Sequence, residues 1–396
     1  MQDDPIVIAG MARTAMGGFQ GDLKDVAAPQ LGAVAIKAAV ARAGLAGADI
    51  DEVIMGCVLP AGLGQAPARQ ASLGAGLPQS TGCTTINKVC GSGMKAAMLA
   101  HDLIAVGTNR IMVAGGMESM SNAPYLLDKA RGGYRLGHGR TLDHMFLDGL
   151  EDAYDKGRLM GTFAEDCAAH YHFTRDDQDR FALASLDRAK AAIEGGYFVG
   201  EIAPVSVKGR GTESVIDTDE QPLKARPDKI ATLKPAFREG GTVTAANSSS
   251  ISDGAAALVL MRRSEANRRG LTPLAIIRGH ATHAQAPAWF TTAPVKAIGN
   301  LLDKLDWRTS DVDLYEINEA FAVVALAAMR ELGLPHDKVN IHGGACALGH
   351  PIGASGARLI VTLLAALERN GLKRGIASLC IGGGEATALA VERIAG

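Results

Sequence analysis

Residues 87–96 place a cysteine, Cys90, where a strand-like run meets a helical pattern. Gly91 and Gly93 let the backbone turn sharply, and the apolar spacing that follows them is typical of a helix. Cys90 is therefore predicted at a helix N-terminus, where the partial positive charge favours the thiolate, the form that attacks an acyl carbon. The alternative is an inert cysteine, because most free cysteines pack as small hydrophobic residues.

Three residues of the second half carry side chains suited to proton transfer or hydrogen bonding. His350 can take a proton from a thiol and return it, because an imidazole titrates near neutral pH. Cys380 is a candidate acid/base if its pKa lies near the working pH, with the amides of residues 382–384 available to stabilise its thiolate. Asn318 can position a water or donate a hydrogen bond. The structural alternatives are a turn cap for His350, a buried hydrophobic residue for Cys380 and a helix N-cap for Asn318.

The elements that position these residues occur twice along the chain. The strand, helix and strand predicted before Cys90 lie at residues 6–9, 29–44 and 49–56. The matching series before His350 lies at residues 273–281, 294–306 and 310–316. Alternating strands and helices favour a layered α/β fold with mostly parallel strands. The repeat indicates a duplicated domain whose halves face each other across a pseudo-twofold axis, the alternative being two unrelated units of similar length.

The strand-helix alternation stops at about residue 120 and resumes at about residue 250. The intervening segment is predicted as an inserted loop domain, a type of region that often carries ligand contacts. The predicted domains are an N-terminal half at 1–120 completed by about 251–270, the insertion at 121–250, and a C-terminal half at 271–396.

Composition excludes several classes of protein. The 396 residues are 47% hydrophobic and 21% charged, and the net charge of -2 gives no electrostatic case for nucleic acid or anionic membrane. The sequence contains no run of about 18 uncharged apolar residues, so no transmembrane helix is predicted. The six cysteines lack a Cys-x-x-Cys pair, so neither a disulfide scaffold nor a metal site is expected. Residues 1–5 do not begin a secretory signal, so we expect a cytoplasmic protein.

Five segments together resemble the thiolase family, and the resemblance extends over essentially the whole chain. They are residues 87–93 (NKVCGSG), 115–121 (GGMESMS), 318–322 (NEAFA), 349–353 (GHPIG) and 380–384 (CIGGG). Their order and spacing match those of the family. The alternative for the segment 349–353 is a dinucleotide-binding loop at Gly349, Gly353 and Gly356. The spacing of these glycines is not Gly-x-Gly-x-x-Gly, which disfavours that alternative.

The resemblance implies an αβαβα layered fold and a Claisen condensation of acyl thioesters through an acyl-cysteine. That reaction needs a nucleophile, a base for the alpha carbon and donors for two oxyanions. The family pattern makes Cys90 the nucleophile, His350 its base and Cys380 the acid/base for the alpha carbon. It also implies that His350 and a water held by Asn318 bind the enolate oxygen, and that the amides of Cys90 and Gly382 bind the tetrahedral intermediate.

The resemblance further implies that coenzyme A is substrate and product, with no metal or redox cofactor. Residues 243–255 resemble the pantetheine-contacting loop of the family, with Ser249 as its hydrogen-bonding serine. The apolar contacts implied for the pantetheine are Met160, Phe237, Ala245 and Ala246.

Four positions depart from the family pattern. Leu159 stands where biosynthetic members commonly have histidine, which argues against a strict preference for acetyl groups. Phe290, in the bulky run 289–292, argues in the opposite direction and favours short acyl chains. Ser250 replaces a usual glycine and His342 a common asparagine, and the sequence does not indicate what either change does.

The sequence therefore predicts an acyl-CoA C-acetyltransferase of fatty acid metabolism, which condenses two acetyl-CoA to acetoacetyl-CoA or runs the reverse thiolysis. One alternative is a degradative 3-oxoacyl-CoA thiolase of broader chain length, and another is a non-catalytic acyl-CoA-binding scaffold. A decarboxylating ketosynthase is disfavoured because it would lack Cys380. The family resemblance also implies a homodimer or homotetramer, with the insertion contributing to assembly.

Overall fold

The computed structural model describes residues 4–208 and 213–394. Residues 1–3, which contributed to the cytoplasmic prediction, lie outside these ranges. Residues 395–396, the end of the predicted C-terminal half, also lie outside them. Within the described ranges, no helix has both the length and the apolar character needed to cross a bilayer.

The strands and helices follow the predicted alternation in both halves of the chain. The strands are β1 (Ile6–Arg13), β2 (Gly17–Gly18), β3 (Glu52–Gly56), β4 (Gly82–Ile86), β5 (Ile111–Ser119), β6 (Tyr125–Leu126), β7 (Leu142–Asp143), β8 (Val205–Lys208), β9 (Glu213–Ile216), β10 (Ser252–Arg262), β11 (Ala275–Ala284), β12 (Leu314–Ile317), β13 (Arg374–Ile381) and β14 (Glu385–Arg393). The helices are α1 (Ala28–Arg42), α2 (Pro67–Gly74), α3 (Ser92–Ala105), α4 (Met160–Tyr171), α5 (Arg175–Glu194), α6 (Glu220–Lys224), α7 (Arg263–Arg268), α8 (Ala293–Leu305), α9 (Ala322–Leu332), α10 (Ala345–Leu348) and α11 (Ser355–Arg369).

One mixed sheet runs through both halves in the order β12-β13-β14-β11-β1-β10-β5-β3-β4, with β2 beside β10. The expectation of mostly parallel strands is wrong. Only the pairs β3–β4, β3–β5 and β12–β13 of this sheet are parallel. Antiparallel pairing arises because β13 and β14 form a hairpin around residues 382–384, and because the chain returns from the insertion to place β10 between β1 and β5.

Three apolar cores separate the layers and confirm the duplicated αβαβα arrangement. The first core lies between the sheet and α1 and α2, the second surrounds α3 and α11, and the third lies under α8 and α9. Val7 and Ile8 are neighbours on β1 but belong to different cores, because successive side chains of a strand point to opposite faces. Helices α3 and α11 thus form the central layer between the two halves of the sheet.

Two glycines bring the N-termini of these central helices together. A Cβ atom at Gly93 would lie 2.8 Å from the backbone N of Ala357, and one at Gly356 would lie 2.3 Å from the backbone N of Met94. Both distances are shorter than real Cβ contacts, so only glycine permits the approach. The reciprocal pattern is that of a pseudo-twofold axis between α3 and α11, and it brings the turns of Cys90 and His350 to one place.

Candidate active site

A cavity of about 370 Å³ opens beside the N-termini of α3 and α11 and is mostly apolar. Of the residues predicted to react with or bind the substrate, those that line it are Cys90, His350, Cys380, Gly382, Ser249, Met160, Phe237 and Ala245. Asn318 lies directly behind His350, to which its side chain is hydrogen-bonded. Ala246 lines a neighbouring cavity instead. The structure therefore brings together residues that the sequence spreads over more than half of the chain.

Cys90 stands on a tight turn between β4 and α3. Asn87 Oδ1 accepts a hydrogen bond of 2.8 Å from the amide of Val89, and Val89 has a left-handed backbone with φ of 45°. Such a conformation is uncommon for a β-branched residue and is typical of constrained functional turns. Helix α3 begins at Ser92, so the predicted position of Cys90 at a helix N-terminus is confirmed.

The predicted preference of Cys90 for the thiolate is not found. Burial raises the pKa of Cys90 to about 11, even though the backbone amides of Gly382 and of Cys90 itself contact the sulfur and lower it. The charge of Glu118 adds a smaller increase. Desolvation of the charged form thus outweighs the helix end, and Cys90 is a thiol at neutral pH that needs a base to become a nucleophile.

His350 is buried with one ring nitrogen fixed by the protein. Its Nδ1 lies 2.5 Å from Ser355 Oγ, whose own proton is donated to the carbonyl of Pro351 at 2.9 Å. The serine oxygen must therefore accept from His350, which assigns the proton of the neutral ring to Nδ1 and leaves Nε2 as the acceptor. Burial lowers the pKa of His350 to about 3, with a smaller contribution from Arg358. These contacts make it a neutral base; they do not describe a turn cap.

Asn318 does not cap a helix, because α9 begins at Ala322 with Phe321 at its N-cap position. Its Nδ2 instead lies 3.3 Å from His350 Nε2. Within the described ranges, the buried Oδ1 of Asn318 has no hydrogen-bond partner. A buried amide oxygen without a partner is rare and is suited to accept from a water or a ligand.

The sequence offered Cys380 either as an acid/base or as a buried hydrophobic residue, and the structure shows it both buried and facing the cavity. It is buried near the end of β13 among Phe163 and Phe290, and it also lines the cavity. Burial, and secondarily the neighbouring Cys90, raise the pKa of Cys380 well above its usual range. The amides of residues 382–384 do not stabilise its thiolate, since the Gly382 amide contacts Cys90 instead. The condition that the sequence analysis set for this role, a pKa of Cys380 near the working pH, is therefore not met in the free chain.

Two polar residues beside the site had no role assigned from the sequence. Glu118 is fully buried and accepts hydrogen bonds from the amides of Val58 at 2.9 Å, Leu59 at 3.1 Å and Gly353 at 2.8 Å. It thereby ties the loop after β3 to the turn that carries His350. The feature of the sequence that could have indicated a role for Glu118 is an acidic residue near the end of an apolar strand. Ser355 gave no signal of its own.

The departures from the family pattern fall in different places. Leu159 and Phe290 both line the cavity, so each contributes apolar surface there. Ser250 also lines it, and its carbonyl accepts a hydrogen bond of 3.2 Å from the amide of His350. His342 lies elsewhere, buried with its ring 5.1 Å from that of Tyr197, and burial lowers its pKa to about 4.

The neighbouring cavity has a volume of about 560 Å³ and shares Ala245, Ser250 and Ile251 with the first. Its basic lining residues are Lys224, Arg226 and Lys229. Each of these cations has a carboxylate nearby, supplied by Asp22, Glu220 or Asp228. The two cavities therefore adjoin each other at these three shared residues.

Comparison with known proteins agrees with this architecture. The family models for the thiolase N-terminal and C-terminal domains match residues 6–264 and 271–393. Acetyl-CoA acetyltransferase 2 of Arabidopsis thaliana is 52% identical, covering 98% of this chain and 96% of its own. The crystal structure of Bacillus anthracis acetyl-CoA acetyltransferase superposes with a TM-score of 0.96 at 43% identity, covering 99% of both chains.

A second solved structure, the Acat5 thiolase of Ascaris suum in complex with coenzyme A, superposes with a TM-score of 0.93 at 42% identity. It covers 98% of this chain and 100% of that one. Two matching family models and relatives of this identity over nearly the full length establish that the chain belongs to the thiolase family.

Proposed function

We propose that this chain is an acetyl-CoA C-acetyltransferase, which condenses two acetyl-CoA to acetoacetyl-CoA and CoA or catalyses the reverse thiolysis. The observation that carries the proposal is the convergence of Cys90, His350 and Cys380 on one cavity, with Asn318 behind His350. The similarity to acetyl-CoA acetyltransferases supports the substrate. The chain is accordingly an acyltransferase that works through an acyl-enzyme.

In the first half-reaction, Cys90 Sγ attacks the thioester carbonyl while His350 Nε2 takes the thiol proton. The C–S bond to Cys90 forms, the C–S bond to CoA breaks, and Cys380 Sγ gives its proton to the leaving CoA. The amides of Gly382 and Cys90, which already contact the sulfur, are suited to bind the oxyanion of the tetrahedral intermediate. Each such donor is worth about 3 kcal/mol of the barrier.

In the second half-reaction, Cys380 removes a proton from the alpha carbon of the second acetyl-CoA. A buried thiolate with a raised pKa is a strong base once it has given its own proton to the leaving CoA of the first step. The enolate oxygen is bound by His350 and by a water held at Asn318 Oδ1, the buried oxygen without a partner. A C–C bond then forms, the bond to Cys90 breaks, and His350 Nε2 returns the thiol proton to Cys90 Sγ.

Coenzyme A is proposed to lie along the two adjoining cavities. Ser249 Oγ donates to the carbonyl of Ala320 at 3.0 Å, so its free lone pairs are available to accept from a pantetheine amide. The apolar walls around the pantetheine are Met160, Phe237, Ala245 and Ala246. The phosphates of coenzyme A would then lie near Lys224, Arg226 and Lys229 in the neighbouring cavity.

Mass spectrometry of variants after incubation with acetyl-CoA tests the assigned roles. Cys90→Ser is expected to form no acyl-enzyme, whereas Cys380→Ser is expected to gain one acetyl group and to lose condensation. Normal condensation by Cys380→Ser would contradict the role of its thiol. A scaffold without catalysis would show no acylation even of the unaltered chain.

The alternative of a degradative 3-oxoacyl-CoA thiolase is supported by the apolar cavity to which Leu159 contributes. Rates with acetoacetyl-CoA and 3-oxooctanoyl-CoA separate the two functions, because Phe290 would obstruct the longer chain. Four further proposals from the sequence accompany the activity: the three-domain division, the insertion's role in assembly, the homodimer or homotetramer, and the cytoplasmic location.

A further inference from the structure

Three potential metal ligands gather at the end of α3 opposite Cys90. Asp102 Oδ1 lies 2.9 Å from His101 Nδ1 and 2.9 Å from His280 Nε2. The three ligand atoms all lie within 4.8 Å of one another. We propose that His101, Asp102 and His280 form a binding site for a divalent first-row transition ion of the Ni²⁺ and Zn²⁺ class.

The separations fit the coordination geometry of such an ion. Two ligand atoms that each lie about 2.1 Å from one ion are about 3.4 Å apart in the tetrahedral geometry of Zn²⁺, and about 3.0 Å apart at the right angles of a square-planar Ni²⁺ site. The oxygen of Asp102 has the second of these separations from both ring nitrogens. The imidazole rings of His101 and His280 are inclined by 87°, so they approach the shared oxygen from different directions. Two imidazoles and one carboxylate are ligands that Ni²⁺ and Zn²⁺ accept.

The site is accessible from solvent. The exposed fraction of the side chain is 20% for His101, 52% for Asp102 and 14% for His280. Burial acts against the charge of Asp102, but hydrogen bonds from both histidines outweigh it and hold the pKa below its usual value. His101 Nδ1 and His280 Nε2 each donate a proton to Asp102 in the free chain, and a bound ion would displace both protons.

One charge opposes the ion. Lys304 Nζ donates to the carbonyl of His280 at 3.2 Å, and its charge disfavours a second cation there. The ligands come from different halves of the fold, since His101 and Asp102 lie on α3 and His280 lies on β11. A bound ion would therefore link the central helix to the second half and stabilise the native state by mass action. No spacing along the sequence indicates this site, because the two histidines are far apart along the chain.

Calorimetric titration of the whole chain, freed of metal by a chelator, with NiCl₂ tests the proposal. We expect saturable binding of one Ni²⁺ per chain and at least about tenfold weaker binding by His280→Gln, because one of three ligands is lost. Asp102→Asn keeps an exposed polar group of the same size but not its charge, and serves as the second variant should His280→Gln fail to fold. Thiolase activity of both variants should equal that of the unaltered chain.

Two further variants make the test specific. Cys90→Ala is the control for binding by a thiol, and it should keep the Ni²⁺ affinity unchanged. Lys304→Met should bind Ni²⁺ more tightly, because the opposing charge is gone. The proposal is overturned if the unaltered chain shows no saturable binding, if His280→Gln and Asp102→Asn both keep full affinity, if Cys90→Ala loses the site, or if Lys304→Met binds no more tightly.

Discussion

The central helices of the two halves begin with the same pair of residues, serine and glycine, yet they present different chemistry. Ser92 Oγ donates to the carbonyl of Val89 at 2.7 Å and accepts from the amide of Lys88 at 2.8 Å. It therefore fixes the backbone of the turn that carries Cys90. Ser355 Oγ also donates to a carbonyl of its own turn, but it accepts from His350 Nδ1 at 2.5 Å. The same structural position shapes a backbone in one half and orients a ring in the other.

The two functional residues also differ in their positions relative to these helices. Cys90 lies two residues before α3, whereas His350 lies five residues before α11. When α3 and α11 are aligned by their first residues, His350 therefore lies three positions further towards the N-terminus than Cys90 does. Duplication has supplied two facing turns, and divergence within those turns has determined which reactive group each presents and how that group is held.

The largest effect is expected from removing the imidazole of the second turn. His350→Gln should lower kcat about 10³-fold, because a general base typically contributes 10²- to 10⁴-fold and Cys90 is otherwise protonated. The measurement is steady-state thiolysis of acetoacetyl-CoA. His342→Gln is the matched control, since this buried histidine of the same half does not line the cavity. Comparable losses of kcat in the two variants would mean that His350 acts only through stability.

The next effect tests the helix crossing that brings the two turns together. Gly356→Ala places a Cβ 2.3 Å from the backbone N of Met94, so it should destabilise the fold by about 3 kcal/mol. Gly299→Ala is the control, because a Cβ in this helical position meets nothing within 4 Å and should stabilise the chain by about 0.5 kcal/mol. Urea unfolding measures both. Equal stability of the two variants would contradict the tight crossing.

The sequence predicted the elements of both halves well because apolar spacing and glycine turns are local signals. The helix predicted at 29–44 and the strand predicted at 49–56 lie within a few residues of the observed α1 and β3. Strand direction was predicted wrongly because it depends on which distant segments pair. The chain gave no local sign that residues 252–262 would lie antiparallel between β1 and β5.

For the site, residue types predicted which side chains would meet but not their protonation. Family motifs indicated Cys90, His350 and Cys380, and all three line one cavity. Their pKa values depend on burial, which a helix-end argument does not include, so the predicted thiolate of Cys90 was wrong. Ser355 was missed because its role exists only through the turn that returns His350 to the start of α11.

The protonation state of the first turn can be tested by its reactivity. Because the pKa of Cys90 is raised to about 11, its thiolate fraction should rise about tenfold per pH unit between pH 7 and pH 9. Alkylation of the chain by iodoacetamide, followed by mass spectrometry of the Cys90 peptide, should accelerate about a hundredfold over this interval. His350 remains neutral throughout, since burial lowers its pKa to about 3. A rate that levels off by pH 7 would indicate a thiolate stabilised by the helix after all.

The smallest effect is expected from removing the serine oxygen at the first residue of each central helix. These substitutions compare the two turns most directly, because the same atom is removed from the same position in both halves. Ser355→Ala frees His350 Nδ1 from its acceptor, so the ring also populates the tautomer whose Nε2 carries the proton and cannot act as base. We expect kcat to decrease by a factor of several tens. The KM for CoA should be nearly unchanged, because Ser355 does not line the cavity.

Ser92→Ala instead leaves the amide of Lys88 without its acceptor, which should cost about 1–3 kcal/mol of stability. Its loss of kcat should be smaller than that of Ser355→Ala, since no ring is reoriented. Urea unfolding and thiolysis kinetics of both variants separate the two effects. If the variants lost kcat and stability in the same proportion, the two serines would have one structural role, and the tautomer of His350 would be fixed by its other contact, Asn318 Nδ2.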